Sequence, residues 1–219
     1  MIEAILFDLD GVLVDAADWH YDALNAALAA NGYSAITRED HEYHFNGKPT
    51  RVKLDMLGIP EEDREKIAEA KQMRTIDIIG ERCRPDEEKI NMLKLLKHMG
   101  FKLAVCSNAV RETVDAMLCA TGYDIYMDLT LSNEDVVDPK PSPDIYLSAM
   151  QDLGVEPNSC MIVEDSEVGR LAAVTSGAHV LQADYKDVKI ELFLGKGLFN
   201  LETNCRTSNG DSYNDRGTA

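Results

Sequence analysis

The chain has 219 residues, 45% hydrophobic and 28% charged, enough to bury a full core as one large domain or as one domain carrying an insertion. Its 39 acidic and 22 basic residues give a net charge of −17, which repels phosphate backbones and anionic lipid and so excludes nucleic acid and membranes as expected partners. No run approaches the roughly 20 apolar residues of a membrane span and no basic-then-apolar signal region opens the chain, so the expected compartment is the cytoplasm.

The apolar run of residues 2–7 reads as a buried strand and ends in "FDLDG", residues 7–11. Alternate residues of an extended chain point the same way, so Asp8 and Asp10 can face one site. About seven acid-x-acid triplets are expected by chance in so acidic a chain, and the pair means little until its surroundings are known.

Residues 16–85 hold helical patterns at Trp19 to Asn31, Thr50 to Leu57 and Glu61 to about Ile79, and no buried strand. This predicts an all-helical insertion, nearly neutral with 10 basic and 13 acidic residues. Trp19 reads as a packing residue. Glu61, Glu62 and Asp63, just after Pro60, suit a helix N-terminus. The stretch "NGKPTRVK", residues 46–53, concentrates Lys48, Arg51 and Lys53. Lys53 reads as a solvated helix-face residue, while for Arg51 a solvated role and a substrate-binding role stand level.

Strand and helix alternate from there on. Ile90, Leu93 and Leu96 recur on one helical face before Gly100. "KLAVC" reads as a strand ending in Ser107-Asn108, followed by "DLTLS" at 128–132 and the Pro-rich loop "DPKPSPD", which holds Lys140. Ser142 and Pro143 resemble an N-cap and first residue of a helix ending near Gly154. "CMIV" ends in Glu164-Asp165, and "AHVLQ" at 178–182 is the last predicted strand. The pattern predicts an α/β fold, a Rossmann-like doubly wound parallel sheet. The core takes residues 1–15 and 86–195, the helical cap 16–85, and a loose polar tail 196–219. Cys83, Cys106, Cys119, Cys160 and Cys205 are scattered and odd in number, which argues against a disulfide framework or structural zinc.

Ligands of open parallel sheets bind outside the carboxyl ends of the strands. Asp8, Ser107, Glu164 and Asp165 all stand at such ends, and Lys140 lies in the loop after a third. Clustered carboxylates repel one another and are tolerated mainly around a cation; oxygen ligands alone select a hard ion such as Mg2+. Ser107 and Lys140 can hold phosphate oxygens, and an aspartate can attack phosphorus.

With "DLDG", "SN", "KP" and "ED" in this order at strand ends, residues 1 to about 185 resemble the haloacid dehalogenase superfamily. The resemblance is to the subgroup with a helical cap, which includes phosphoglycolate phosphatases and β-phosphoglucomutases. It implies that Asp8 is the nucleophile and Asp10 the general acid and base. It further implies Mg2+ on the Asp8 side chain, the Asp10 carbonyl and Asp165, with Glu164 nearby or acting through water. Ser107, Asn108 and Lys140 would orient the phosphoryl group, and Leu9, His20, Gly47, Lys48 and Arg51 would surround phosphate or substrate. Superfamily dehalogenases and phosphonate hydrolases lack the acid at the position of Asp10, so the substrate expected is a phosphate ester. The reading is a Mg2+-dependent phosphatase of a small phosphorylated metabolite, in the first place a sugar phosphate, with a cap hinged at 14–18 and 82–86. A mutase of the β-phosphoglucomutase type is the alternative, against which stand Ala16, where Thr or Ser is common, and the loop "FNGKPTR". A non-catalytic binding protein on the same fold is the rival of another class, and the sequence names no oligomeric state.

Overall fold

The computed structural model of the chain describes residues 1–195. The tail at 196–219, expected to be loose, and Cys205 lie outside the described residues. Strand β1 (Ala4–Phe7) is followed by a stretch that is helical only: α1 (Ala17–Ala30), α2 (Arg38–Asp40) running into a π-helical turn (His41–Phe45), α3 (Thr50–Met56) and α4 (Glu61–Arg82). Then come α5 (Glu87–His98), β2 (Lys102–Cys106), α6 (Arg111–Thr121), β3 (Leu129–Leu131), α7 (Asp144–Leu153), β4 (Cys160–Glu164), α8 (Glu167–Thr175), β5 (His179–Gln182) and α9 (Ile190–Leu194). No helix among the described residues is long and apolar enough to cross a membrane.

The five strands form one parallel sheet in the order β3-β2-β1-β4-β5. Its central strands β2, β1 and β4 are buried on both faces, which is why they read as apolar runs, while the edge strands β3 and β5 are only partly covered. Ile5, Phe7, Leu103, Val105 and Val163 pack against Met92, Leu93 and Leu96 of α5, Val114 and Met117 of α6, and Phe193 of α9. The alternate residues Leu6, Ala104, Cys106 and Ile162 pack against Ile145, Tyr146 and Ala149 of α7 and Ala172 and Ala173 of α8. A third cluster, Leu24, Leu28, Ile36, Phe45, Leu54, Ile59 and Ile67, belongs to the helices between β1 and β2 alone. Cys83, Cys106 and Cys160 are buried and Cys119 exposed, all four as free thiols.

Local chemistry explains most boundaries. Asp86 caps α5 by accepting the Glu88 and Lys89 amides, with acids in the first turn and Lys97 and His98 in the last. Gly154 ends α7 in the left-handed conformation at φ 64°, as its position before a strand predicts. The start of α7 differs from expectation: Pro143 is the N-cap and Asp144 the first helical residue, because the Ser142 amide is turned to the Pro139 carbonyl in the preceding turn. The π-helical turn at 41–45 has no counterpart in the sequence reading.

β1 lies in the middle, with Phe7 beside Val105 of β2 and Val163 of β4. That register sets Asp8 next to the ends of both neighbours. Leu6→Ala at the centre of β1, where the side chain is fully buried, is expected to lower stability by about 2–5 kcal/mol without changing the urea dependence, as read by urea unfolding.

Candidate active site

Asp8 continues β1, its amide donating to the Val163 carbonyl at 3.0 Å. Lys140 reaches it from the loop before α7. The Lys140 ammonium donates to Asp8 Oδ1 at 2.6 Å, Glu164 Oε1 at 2.6 Å and the Cys106 carbonyl at 2.8 Å, so all three of its protons are engaged. Burial disfavours the ammonium, but the carboxylates of Asp8 and Glu164 more than offset this and hold its pKa above the ordinary value. Glu164 accepts further from the Tyr146 hydroxyl at 2.6 Å and from the Ser166 hydroxyl at 3.2 Å. Both of its oxygens are therefore occupied within the protein.

Asp8, Glu164 and Asp165 bring carboxylate oxygens within 4.8 Å of one another. Burial raises the Asp8 carboxyl well above its ordinary value; Lys140 pulls it back in part, and Glu164, Asp165 and Asp10 push it up again. Burial and then Glu164 push Asp165 up to about 7. Asp165 Oδ1 is buried with no hydrogen-bond partner among the described residues. Three carboxylates face one ammonium there, and the donor set is oxygen only. Those residues fit a small, hard divalent cation, held by Asp8 and Asp165, with Glu164 committed to Lys140 behind them.

Asp10 sits between two sides of the cleft. Ser107, at the end of β2, donates to its Oδ2 at 3.4 Å, and His20 of α1 meets its Oδ1 at 2.8 Å. Burial pushes the Asp10 carboxyl up; His20, Lys71 and Ser107 outweigh that and hold it below the ordinary value. Burial and then Lys71 hold the His20 imidazole low against the pull of Asp10. A lowered pKa favours the uncharged imidazole, the form that donates from Nε2 to Asp10 and accepts at Nδ1 from the Lys71 ammonium at 3.4 Å.

The cleft encloses about 270 Å³ between the sheet edge and the helices of residues 17–82. Asp8, Asp10, His20, Lys140 and Asp165 line it, and so do Ser107, Asn108, Gly47, Lys48 and Arg51. Asn108 ties the two sides, donating to the carbonyls of Gly47 and Lys140 and accepting the Lys140 amide. Arg51 is at the rim: its side chain is 80% exposed and paired with Glu61 at 2.8 Å. Leu9 turns its side chain into the core, while its carbonyl accepts the amides of Leu13 and Val14 in the turn that follows. Lys53 departs most from expectation. It is buried rather than solvated, because α3 lays both Lys53 and Leu54 inward and the lysine ends in the cleft.

The sequence matches the haloacid dehalogenase-like hydrolase family over residues 5–183. Protein CbbY of Rhodobacter capsulatus is 31% identical over 193 residues, covering 82% of this chain and 84% of its own. The phosphoglycolate phosphatase of Aquifex aeolicus is 30% identical, covering 86% of this chain and 88% of its own. Among solved structures, β-phosphoglucomutase of Clostridium difficile superposes with a TM-score of 0.74 at 25% identity, over 87% of this chain and 88% of that one.

Residues that sequence reasoning passed over hold the site together. Lys71 falls in register with Ile67, Thr75 and Ile78 on the buried face of α4, and a lysine on such a stripe was the available signal. Two glycines make room for carboxylates. A Cβ on Gly11, at φ 88°, would lie 2.2 Å from Asp165 Oδ2, and one on Gly169 would lie 1.8 Å from Glu164 Oε1. Gly80, also helical, has nothing within 4 Å of its Cβ direction. Gly169→Ala is expected to lose about 1–3 kcal/mol as Glu164 is driven off Lys140 and Tyr146, whereas Gly80→Ala gains up to about 1 kcal/mol from helix propensity; urea unfolding of the two variants checks the contrast.

Proposed function

The chain belongs to the haloacid dehalogenase-like hydrolases, and from that premise we propose that it is a Mg2+-dependent phosphatase. Its substrate on this reading is a small phosphorylated metabolite, in the first place a sugar phosphate, and its intermediate is an aspartyl-phosphate on Asp8. The carrying observation is Asp8 itself, a strand-end carboxylate facing the cleft with one oxygen fixed by Lys140 at 2.6 Å and a second aspartate two residues on. Relatives named as a phosphoglycolate phosphatase and as a phosphorylated carbohydrates phosphatase of Thermotoga maritima support the substrate class.

Lys140 pins Asp8 Oδ1, which leaves Oδ2 to attack phosphorus in line with the leaving oxygen. As the Asp8–phosphorus bond forms, the bond from phosphorus to the alcohol oxygen breaks and Asp10 supplies the proton that the alcohol needs. In the free protein Asp10 is held ionised, so it takes up that proton when the phosphate dianion arrives beside it and raises its pKa. Water then attacks the phosphorus of the aspartyl-phosphate, Asp10 takes the water's proton, and Asp8 leaves as the carboxylate. Ser107, Asn108 and Lys140 orient and offset the charged oxygens throughout. Mg2+, on Asp8, Asp165 and the Asp10 carbonyl, would draw charge from the transferring group. The helices of residues 17–82 act as a cap that excludes bulk water, with 14–18 and 82–86 as its hinge.

The solved β-phosphoglucomutase at a TM-score of 0.74 supports a second reading, in which the phosphoenzyme meets a sugar hydroxyl in place of water. Incubation with β-glucose 1-phosphate separates the two: free glucose and phosphate are expected, and glucose 6-phosphate as product would establish the mutase. On p-nitrophenyl phosphate, Asp8→Asn should lower turnover by at least about 10³-fold. Near-parental turnover in that variant would refute the nucleophile. Asp10→Asn should slow phosphoenzyme hydrolysis more than its formation in rapid-quench kinetics, because nitrophenolate needs no proton to leave.

Metal binding can be read without turnover. A carboxyl that titrates at about 7 when folded, against 3.8 ordinarily, stabilises the fold at low pH and loses that contribution as pH rises to about 7. Mg2+ is therefore expected to raise the Tm more at about pH 7.5 than at about pH 5, and Asp165→Asn to flatten the difference. Equal shifts at both pH values in the parent would count against Asp165 as a ligand.

A further inference from the structure

Lys53 of α3 and Lys71 of α4 are 6% and 8% exposed, and both line the cleft that holds Asp8 and Asp10. Neither ammonium has a carboxylate within ion-pair distance among the described residues. Lys71 meets only the uncharged Nδ1 of His20, and Lys53 makes no side-chain hydrogen bond. The other two buried lysines are fully served, Lys89 by the carbonyls of Tyr185 and Val188 and Lys140 by two carboxylates and a carbonyl. Burying an ammonium without a partner is unfavourable, and it is avoidable in a chain with 39 acidic residues. Burial, and then the neighbouring Lys71, push the Lys53 ammonium down to about 7; burial pushes Lys71 to about 8. Arg51 does not share this environment, since it is exposed and neutralised by Glu61.

Their position relative to Asp10 gives the direction. Asp10 turns Oδ2 to Ser107, on the phosphoryl side, and Oδ1 to His20, which in turn contacts Lys71. An alcohol leaving at Asp10 therefore carries the rest of its molecule toward the two lysines. We propose that Lys53 and Lys71 form a second anion site, and that the substrate bears on its leaving-group portion a second anionic group, a further phosphate or a carboxylate. This rests on the phosphatase reading of Asp8 and narrows it: neutral sugar monophosphates are poor substrates, and doubly anionic ones are good.

The test compares kcat/KM, with Mg2+, in two matched pairs: a hexose 1,6-bisphosphate against the hexose 1-phosphate, and phosphoglycolate against ethyl phosphate. The expected preference for the doubly anionic member is about 30-fold or more in at least one pair, and the pair that shows it tells phosphate from carboxylate. Lys53→Met should reduce that preference at least about tenfold, chiefly through KM, and Lys53→Arg should retain part of it. Lys53→Met is also expected to raise the Tm, since an apolar chain of similar length replaces a buried charge. A preference below about threefold in both pairs, or one unchanged in Lys53→Met, overturns the proposal. If p-nitrophenyl phosphate is hydrolysed while no preference appears, this proposal alone fails. If nothing is hydrolysed, the phosphatase reading fails, and calorimetric binding of the bisphosphate and monophosphate to the parent and to Lys53→Met decides the anion site by the same ratios.

Discussion

Parallel pairing of β1 with β4 puts Asp8 beside Glu164 and Asp165, and carboxylates so close in a buried place repel one another. Lys140 is what makes the arrangement tolerable: its ammonium bonds two of the three carboxylates and the carbonyl that ends β2. Much of the surrounding structure serves that one nitrogen. Asn108 holds the Lys140 backbone, Tyr146 of α7 occupies the other side of the Glu164 oxygen, and Gly169 lets α8 approach the same carboxylate. A buried ion network of this kind is weak support for stability, because apolar packing would serve as well or better. Its use lies in aiming Asp8 and in drawing its raised pKa part of the way back down.

The cleft is thus built from two unbalanced halves. On the sheet edge carboxylates outnumber ammonium groups, and on the helical side ammonium groups lack carboxylates. Asp10 stands at the boundary and is tied to both, through Ser107 and through His20. A ligand that brings cation to the first half and anion to the second neutralises each locally, whereas a neutral molecule does neither. The strongly negative field of the whole chain weighs less here, since the helical segment above the cleft is nearly balanced in charge.

The sheet and the sheet-borne part of the site were legible because each depends on local pattern. Doubly buried strands are continuous apolar runs, and strand-end residues follow them directly, so Asp8, Ser107, Glu164 and Asp165 could be placed by position alone. The helical side was not. α3 has seven residues, with Val52 and Met56 exposed and Leu54 buried, too short a stretch for its apolar positions to define a face. Whether Lys53 pointed in or out depended on how α3 met the cleft. Gly169 carried no signal, because what forbids a side chain there is a carboxylate five residues away, around a turn; Gly11 stood in the quoted "DLDG", but its φ of 88° and the approach of Asp165, more than 100 residues on, are set by the fold.

The lowered pKa of His20 joins these points. A protonated imidazole would neutralise Asp10 outright and leave it a poor proton acceptor. Held below its ordinary pKa by burial and by Lys71, the imidazole in its uncharged form fixes the direction of the carboxylate while leaving its charge in place. On the proposed mechanism, a phosphate dianion entering the sheet side of the cleft raises the pKa of Asp10, and the proton it takes up passes to the leaving alcohol. The same residue then gives a proton in one half of that proposed cycle and takes one in the next. On the proposed mechanism, the proton-transferring Asp10 and the substrate-facing Lys71 meet at one imidazole, which contacts both.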